Sequence, residues 1–177
     1  MKTYRLKESI HVNAPLDRCF LLSTSVPIVQ QTLQMTPVAG KTTGLVHEYD
    51  HVLWRGWKFG LPAWHESVIT RYERPAFFQD TMARGLFSNF QHDHRFEDID
   101  GRTLMIDIVR CSMPLGPIGS LVAKRVVIPH ILDTMQKRFQ LLKRIAEGSD
   151  WEQYLVNAPQ SAVNSRLAEQ VSSIQSD

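Results

Sequence analysis

The chain has 177 residues, 43% of them hydrophobic, which suits one globular domain able to bury a core without a metal or disulfide staple. Twenty Lys and Arg against eighteen Asp and Glu leave a formal charge of +2, and the basic residues are scattered, so no nucleic-acid partner is expected. Cys19 and Cys111 fit no C-x-x-C pattern, the N-terminus lacks the apolar stretch of a signal peptide, and no run reaches about eighteen apolar residues; the expectation is a cytoplasmic chain with reduced thiols and no membrane span.

Taken in order, Tyr4, Leu6, Ile10 and Val12 fall on one parity, the period of a strand with one buried face. Asn13-Ala14-Pro15 stops it, and Pro15 can open a helix because it lacks only a donor that would have no intrahelical partner. Leu16 to Leu22 predicts a short amphipathic helix with Cys19 and Phe20 facing inward. A second is predicted from Ser25 with Pro27 in its first turn, and Gly40 to Gly44 reads as a loop. Strands are then predicted over His47–Trp57, Ala63–Tyr72, Phe77–Arg84, Asn89–Glu97 and Thr103–Cys111. The turns between them fall at Phe59–Pro62, Glu73–Pro75, Gly85–Phe87 and Asp100–Gly101. The last is the strongest hairpin signal, because a two-residue type I′ turn needs positive φ at both positions.

Pro117 to Ala146 reads as one long helix, with Ile128, Leu132, Met135, Phe139 and Leu142 on one face. Unbroken, it would span roughly 45 Å. Pro129 removes one helical hydrogen bond and its ring crowds Arg125, which predicts a kink. Gly148 ends the helix. A domain over 1–148 is therefore expected, followed by a polar tail over 149–177 in which Trp151, Tyr154 and Leu155 are the residues able to dock and the last fifteen are mobile. One strand, two short helices, a run of antiparallel strands and one long helix make an α+β layering. The sheet, of about six strands or more, is expected to curl around the helix, with a cavity between them.

Several motifs carry a resemblance. They are I-x-V-x-A-P from Ile10 to Pro15, Trp54 with Phe59 and Gly60, Ile69-Thr70, Arg74-Pro75 and Asp80. R-G-x-F-x-x-F-x-H-x-H-x-F then spans Arg84 to Phe96, G-x-T-L-M-x-D-x-V-R spans Gly101 to Arg110, and P-L-G-P-I-G spans Pro114 to Gly119. On these the chain resembles the SRPBCC or START-like superfamily, the helix-grip fold of Bet v 1-type allergens, and more narrowly bacterial polyketide cyclase/dehydrase-like proteins, over about residues 8 to 146. The resemblance implies a helix-grip fold and a cavity for a hydrophobic or aromatic small molecule. It does not imply one activity, because the superfamily hosts cyclases, carriers and receptors alike. It also implies that Asp107, rather than Ile106 and Ile108, faces inward from the last strand, since relatives tend to be polar at the latter positions. Bare hydrophobicity would choose the opposite face.

With Asp100-Gly101 as the loop, residue numbers across the last hairpin sum to 201, which sets His94 opposite Asp107. A three-residue loop over Leu86–Ser88 would set Asp80 opposite His94 and Met82 opposite His92. Asp80, His94 and Asp107 then form a row, on the face that also shows Phe90, His92 and Phe96, while Asp93 and Arg95 point to solvent. Such a row can be a satisfied buried network, a polar anchor in an apolar pocket, an acid–base pair with His94 as general base, or metal ligands. The carboxylates are explained as partners of His94, so no metal or cofactor is assigned. Trp54, with His65 and Ser67 on its side of the sheet and Met135 in the roof, completes the expected lining; His47 and His51 are expected to be exposed. The first expectation is binding or carriage of the small molecule. The alternatives are aromatase/cyclase or dehydrase chemistry, or a ligand-free interaction module, alone or as a homodimer.

Overall fold

The alternation near the N-terminus becomes strand β1 (Thr3–Val12), whose even-numbered side chains turn inward. The structure is a computed structural model describing residues 2–58, 60–114 and 116–155. After β1 come α1 (Leu16–Ser23) and α2 (Val26–Leu33), then β2 (Met35–Gly40), β3 (His51–Lys58), β4 (Leu61–Glu73), β5 (Phe77–Arg84), β6 (Asn89–Ile99) and β7 (Arg102–Ser112). Among the described residues these form one antiparallel sheet in the order β1-β7-β6-β5-β4-β3-β2. A long C-terminal helix follows in three segments: α3 (Gly116–Val122), a π-helical turn (Ala123–Val127) and α4 (Ile128–Glu147). This is the expected α+β helix-grip architecture.

The β6–β7 hairpin has the predicted register, with Ile99 paired to Arg102 and His94 to Asp107. Its turn residues Asp100 and Gly101 have φ of +54° and +77°, the left-handed values a type I′ turn demands. Three segments differ from expectation. Met35–Gly40 is an edge strand, where Pro37 is tolerated because an edge need not offer every N–H to a neighbour. His47 to Asp50 is a loop, held by the Asp50 carboxylate accepting from the His47 amide at 2.8 Å, so β3 begins only at His51. The β5–β6 register is displaced by two residues, so that Phe78, not Asp80, lies opposite His94, and Asp80 lies opposite His92.

The core closes one end of the concave face. Phe20 is fully buried, its ring edge-on to Tyr72, Phe78 and Phe96 at centroid distances of 5.2, 5.7 and 5.3 Å. Met135, Phe139 and Leu142 of α4 are buried as the stripe predicted, whereas Ile128 and Leu132 are only half-buried. The predicted kink takes the form of the π-helical turn just before Pro129. A proline at 129 has no N–H for the Arg125 carbonyl, and the turn widens so that the Ile128 amide donates to Ala123 O. Beyond Gly148, α5 (Trp151–Leu155) docks on the first helices: the Arg18 guanidinium lies 4.1 Å over the Trp151 ring and the Gln31 amide donates to Tyr154 Oη at 3.1 Å. The expected mobile end of the tail lies outside the described residues. Among the described residues no helix is long and apolar enough to cross a membrane.

Candidate functional site

Alternate side chains of β3 to β7 lie on one face of the curved sheet. Trp54 of β3 is buried, and its indole N–H points at Ser67 Oγ, 3.4 Å away on β4. His65 lies directly opposite Trp54, with its ring edge-on to Phe90 at 5.8 Å. Met82 pairs with Ser67, and Met135 of α4 packs on Val109 and Cys111 of β7 beside Phe90. The expected lining residues therefore share one surface.

At its centre is a buried ionic network. Asp107 is 1% exposed and divides its carboxylate: Oδ1 lies 2.8 Å from His94 Nδ1, and Oδ2 accepts from Arg138 Nη1 at 2.7 Å. Arg138 also donates to the Ser23 carbonyl at 3.3 Å, tying α4 to α1. The other ring nitrogen of His94 faces Asp80 Oδ2 at 3.5 Å. Phe78 stacks on the His94 ring at 4.2 Å, occupying the opposite position expected for Asp80. His92 and His94 rings are 3.8 Å apart, and His92 Nε2 is 3.2 Å from Asp107 Oδ2 but outside hydrogen-bond geometry, which leaves that buried nitrogen without a hydrogen-bond partner.

Burial by itself would raise the Asp107 carboxyl, but the charges of His94 and Arg138 outweigh it and hold it well below the usual carboxylate range. Burial opposes charge on His94, yet Asp107 beside it raises its pKa above the ordinary imidazole value. His92 moves the other way, because burial and the neighbouring His94 both disfavour its charged form. The charged form is thus favoured at His94, between two carboxylates, and disfavoured at His92. Asp93, expected in solvent, is instead 2% exposed on the other face, accepting from Gln79 and Arg110 at 2.8 Å each. Its carboxylate can be buried because both oxygens are satisfied.

Arg138 and Phe78 are the residues sequence reasoning missed. Arg138 was visible as a charge at the inward position between Met135, Phe139 and Leu142, spaced i, i+3, i+4 and i+7. Phe78 could not be placed without the β5–β6 register. His47 and His51 are exposed, as expected.

No family model matches the chain, and no curated protein matches it in sequence. Solved structures do match. The chain is similar to the di-domain ARO/CYC BexL from the BE-7585A biosynthetic pathway, with a TM-score of 0.67 and 13% identity over 82% of this chain and 50% of that one. It is similar to truncated norcoclaurine synthase from Thalictrum flavum, with a TM-score of 0.62 and 10% identity over 83% and 96% of the two chains. A START superfamily protein from Mycobacterium smegmatis gives a TM-score of 0.54 and 11% identity over 78% and 98%. At such identities the likeness speaks for architecture, and in architecture this chain has the helix-grip fold of the START and Bet v 1-like proteins.

Proposed function

We propose that the protein binds or carries a hydrophobic or aromatic small molecule on the concave face of the sheet, beneath α3 and α4. The carrying observation is a difference between the two ends of that face. At one end Phe20, Ile69, Phe78, Phe96 and Met105 are buried. Toward the turns that follow β3 and β5, the inward-facing His65, Ser67, Asp80, Met82, Phe90 and His92 are all still partly accessible, although each points away from the convex side. An apolar lining with a few convergent polar groups is the usual make-up of a small-molecule site. In this reading Asp80 and His92, 22% and 12% exposed, meet the ligand's polar group, and the Asp107–His94–Arg138 network behind them fixes their positions.

Cyclase or dehydrase chemistry with His94 as general base fits less well. His94 is 3% exposed and both its nitrogens face carboxylates, so an acid–base role would fall to Asp80 or His92. The free, buried thiols of Cys19 and Cys111 fit a reducing compartment, the cytoplasm. Native mass spectrometry of protein purified from its own cell is the test. A stoichiometric apolar adduct, displaced by a planar aromatic probe that shifts the tryptophan fluorescence of the parent but not of a Trp54→Phe variant, is the expected result. A chain at its bare mass that no such probe perturbs would leave a ligand-free interaction module.

A further inference from the structure

Asp80 and His92, which reach the accessible part of the concave face, and the buried His94 behind them have a property the small-molecule reading does not need. One ligating atom each from Asp80, His92 and His94 lies within 4.8 Å of the other two. The separation of His94 Nε2 from Asp80 Oδ2, 3.5 Å, is long for a hydrogen bond. It is close to the spacing of two ligands around a tetrahedral ion, about 3.3 Å when each bond is about 2.0–2.1 Å. The buried His92 Nε2 makes no hydrogen bond and stands 3.2 Å from Asp107 Oδ2, an oxygen that already accepts from Arg138.

The surroundings are arranged as the outer shell of a metal site would be. Asp107 takes no place among the ligands, because its oxygens are committed to His94 Nδ1 and Arg138 Nη1. It fixes the ring so that His94 offers its other nitrogen toward Asp80, the carboxylate–histidine arrangement that orients metal-bound imidazoles. Three protein ligands also leave a coordination position on the side of Asp80 and His92 that solvent reaches.

We propose that Asp80, His92 and His94 bind one divalent transition metal ion of the zinc type, with Asp107 as the positioning residue for His94 and the fourth position open to the ligand. Nitrogen and oxygen donors in a two-histidine, one-carboxylate set suit such ions better than Mg²⁺ or Ca²⁺, which favour all-oxygen shells. The proposal shares its residues with the small-molecule reading but not its measurement. Metal content is scored on chain stripped of small molecules, and apolar adducts are scored separately.

The experiment is a Co²⁺ titration of chelator-treated full-length protein, read by visible absorption and by metal content after desalting. One equivalent per chain is expected, with the intense bands of four- or five-coordinate Co²⁺, displaced by Zn²⁺. Asp80→Asn keeps the side-chain shape but removes the charged ligand, and should weaken binding by at least the roughly 10–100-fold that loss of an outer-shell partner costs; His92→Ala should abolish the bands. A double variant, His47→Ala with His51→Ala, should bind as the parent does, since those rings are on the surface. Circular dichroism confirms that each variant is folded. Absence of binding by the folded parent would overturn the proposal. So would binding that survives both Asp80→Asn and His92→Ala, or that disappears with the surface histidines.

Discussion

Replacing Arg138 with Met keeps the length and apolar stem of the side chain and removes its charge. Arg138 is 6% exposed, and its guanidinium donates to Asp107 at 2.7 Å and to the Ser23 carbonyl at 3.3 Å. Its loss leaves the Asp107 carboxylate, 1% exposed, with His94 as its one remaining hydrogen-bonded partner. Stranding one member of a buried pair costs about 3–5 kcal/mol, a large share of the roughly 5–15 kcal/mol that stabilises a domain. The thermal midpoint should fall by roughly 6–20 °C, at about 2–4 °C per kcal/mol for a chain of this size. Urea denaturation followed by circular dichroism at neutral pH gives the free energy directly. The acid limb adds a second readout. Asp107 titrates lower in the folded chain than its unfolded value of 3.8, so its stabilisation is present above that pH and is lost as pH falls through the folded value. Without Arg138 the folded value rises, and acid unfolding of the variant should begin at higher pH than in the parent. A loss under about 1 kcal/mol with an unchanged acid midpoint would refute the claim that this pair supports the fold.

Three further outcomes follow from other parts of the molecule. Phe20→Ala should cost about 3–5 kcal/mol in a urea melt, because the site is fully enclosed by Tyr72, Phe78 and Phe96; a cost below about 1 kcal/mol would mean that those rings collapse into the space. A Cβ at Gly119 would meet Pro114 O at 1.7 Å, so Gly119→Ala must displace the backbone at the start of α3, with an expected loss of about 1–3 kcal/mol by thermal melting. Trp151→Ala removes the Arg18 stacking and should cost about 1–2 kcal/mol; an unaltered melting midpoint would show that α5 rests on α1 without stabilising it.

What was legible in the sequence was set by local chemistry. Asp100-Gly101 admits one tight turn, and that turn fixes all eleven pairs from Asn89–Ser112 to Ile99–Arg102, His94–Asp107 among them. The turn near Gly85 carries no such constraint, and its register was misjudged by two residues. An even slip preserves the side-chain face, so Asp80 still joins His94, diagonally rather than straight across. The inward choice of Asp107 over Ile106 could not come from hydrophobicity. Both faces of β7 are buried, with Ile106 and Ile108 at 9% and 6% exposure on the convex side. β2 was obscured by Pro37 and Gly40, which mean something different at a sheet edge than in a loop. Arg138 was overlooked for a plainer reason: a charge inside an apolar stripe signals a buried partner, and that partner is far away in sequence.

The π-helical turn has a consequence for angular phase. Gly119, Ala123, Val127 and Met135 are all buried, with Ile131 half-buried between the last two, a spacing of four throughout. In a continuous α-helix that spacing drifts by about 40° at each step, and the buried line would wind off the sheet. The wide turn absorbs one extra residue and resets the line, which keeps Ala123 and Val127 inward and leaves Lys124 and Arg125 in solvent. It also sets Ile118, Leu121, Val122 and Val126 on the outside. Removing a single residue from this turn would rotate everything before it by about 100° relative to α4. The segment therefore works as a vernier: the same thirty-odd residues could present a polar or an apolar roof to the sheet, and one residue of slack decides which.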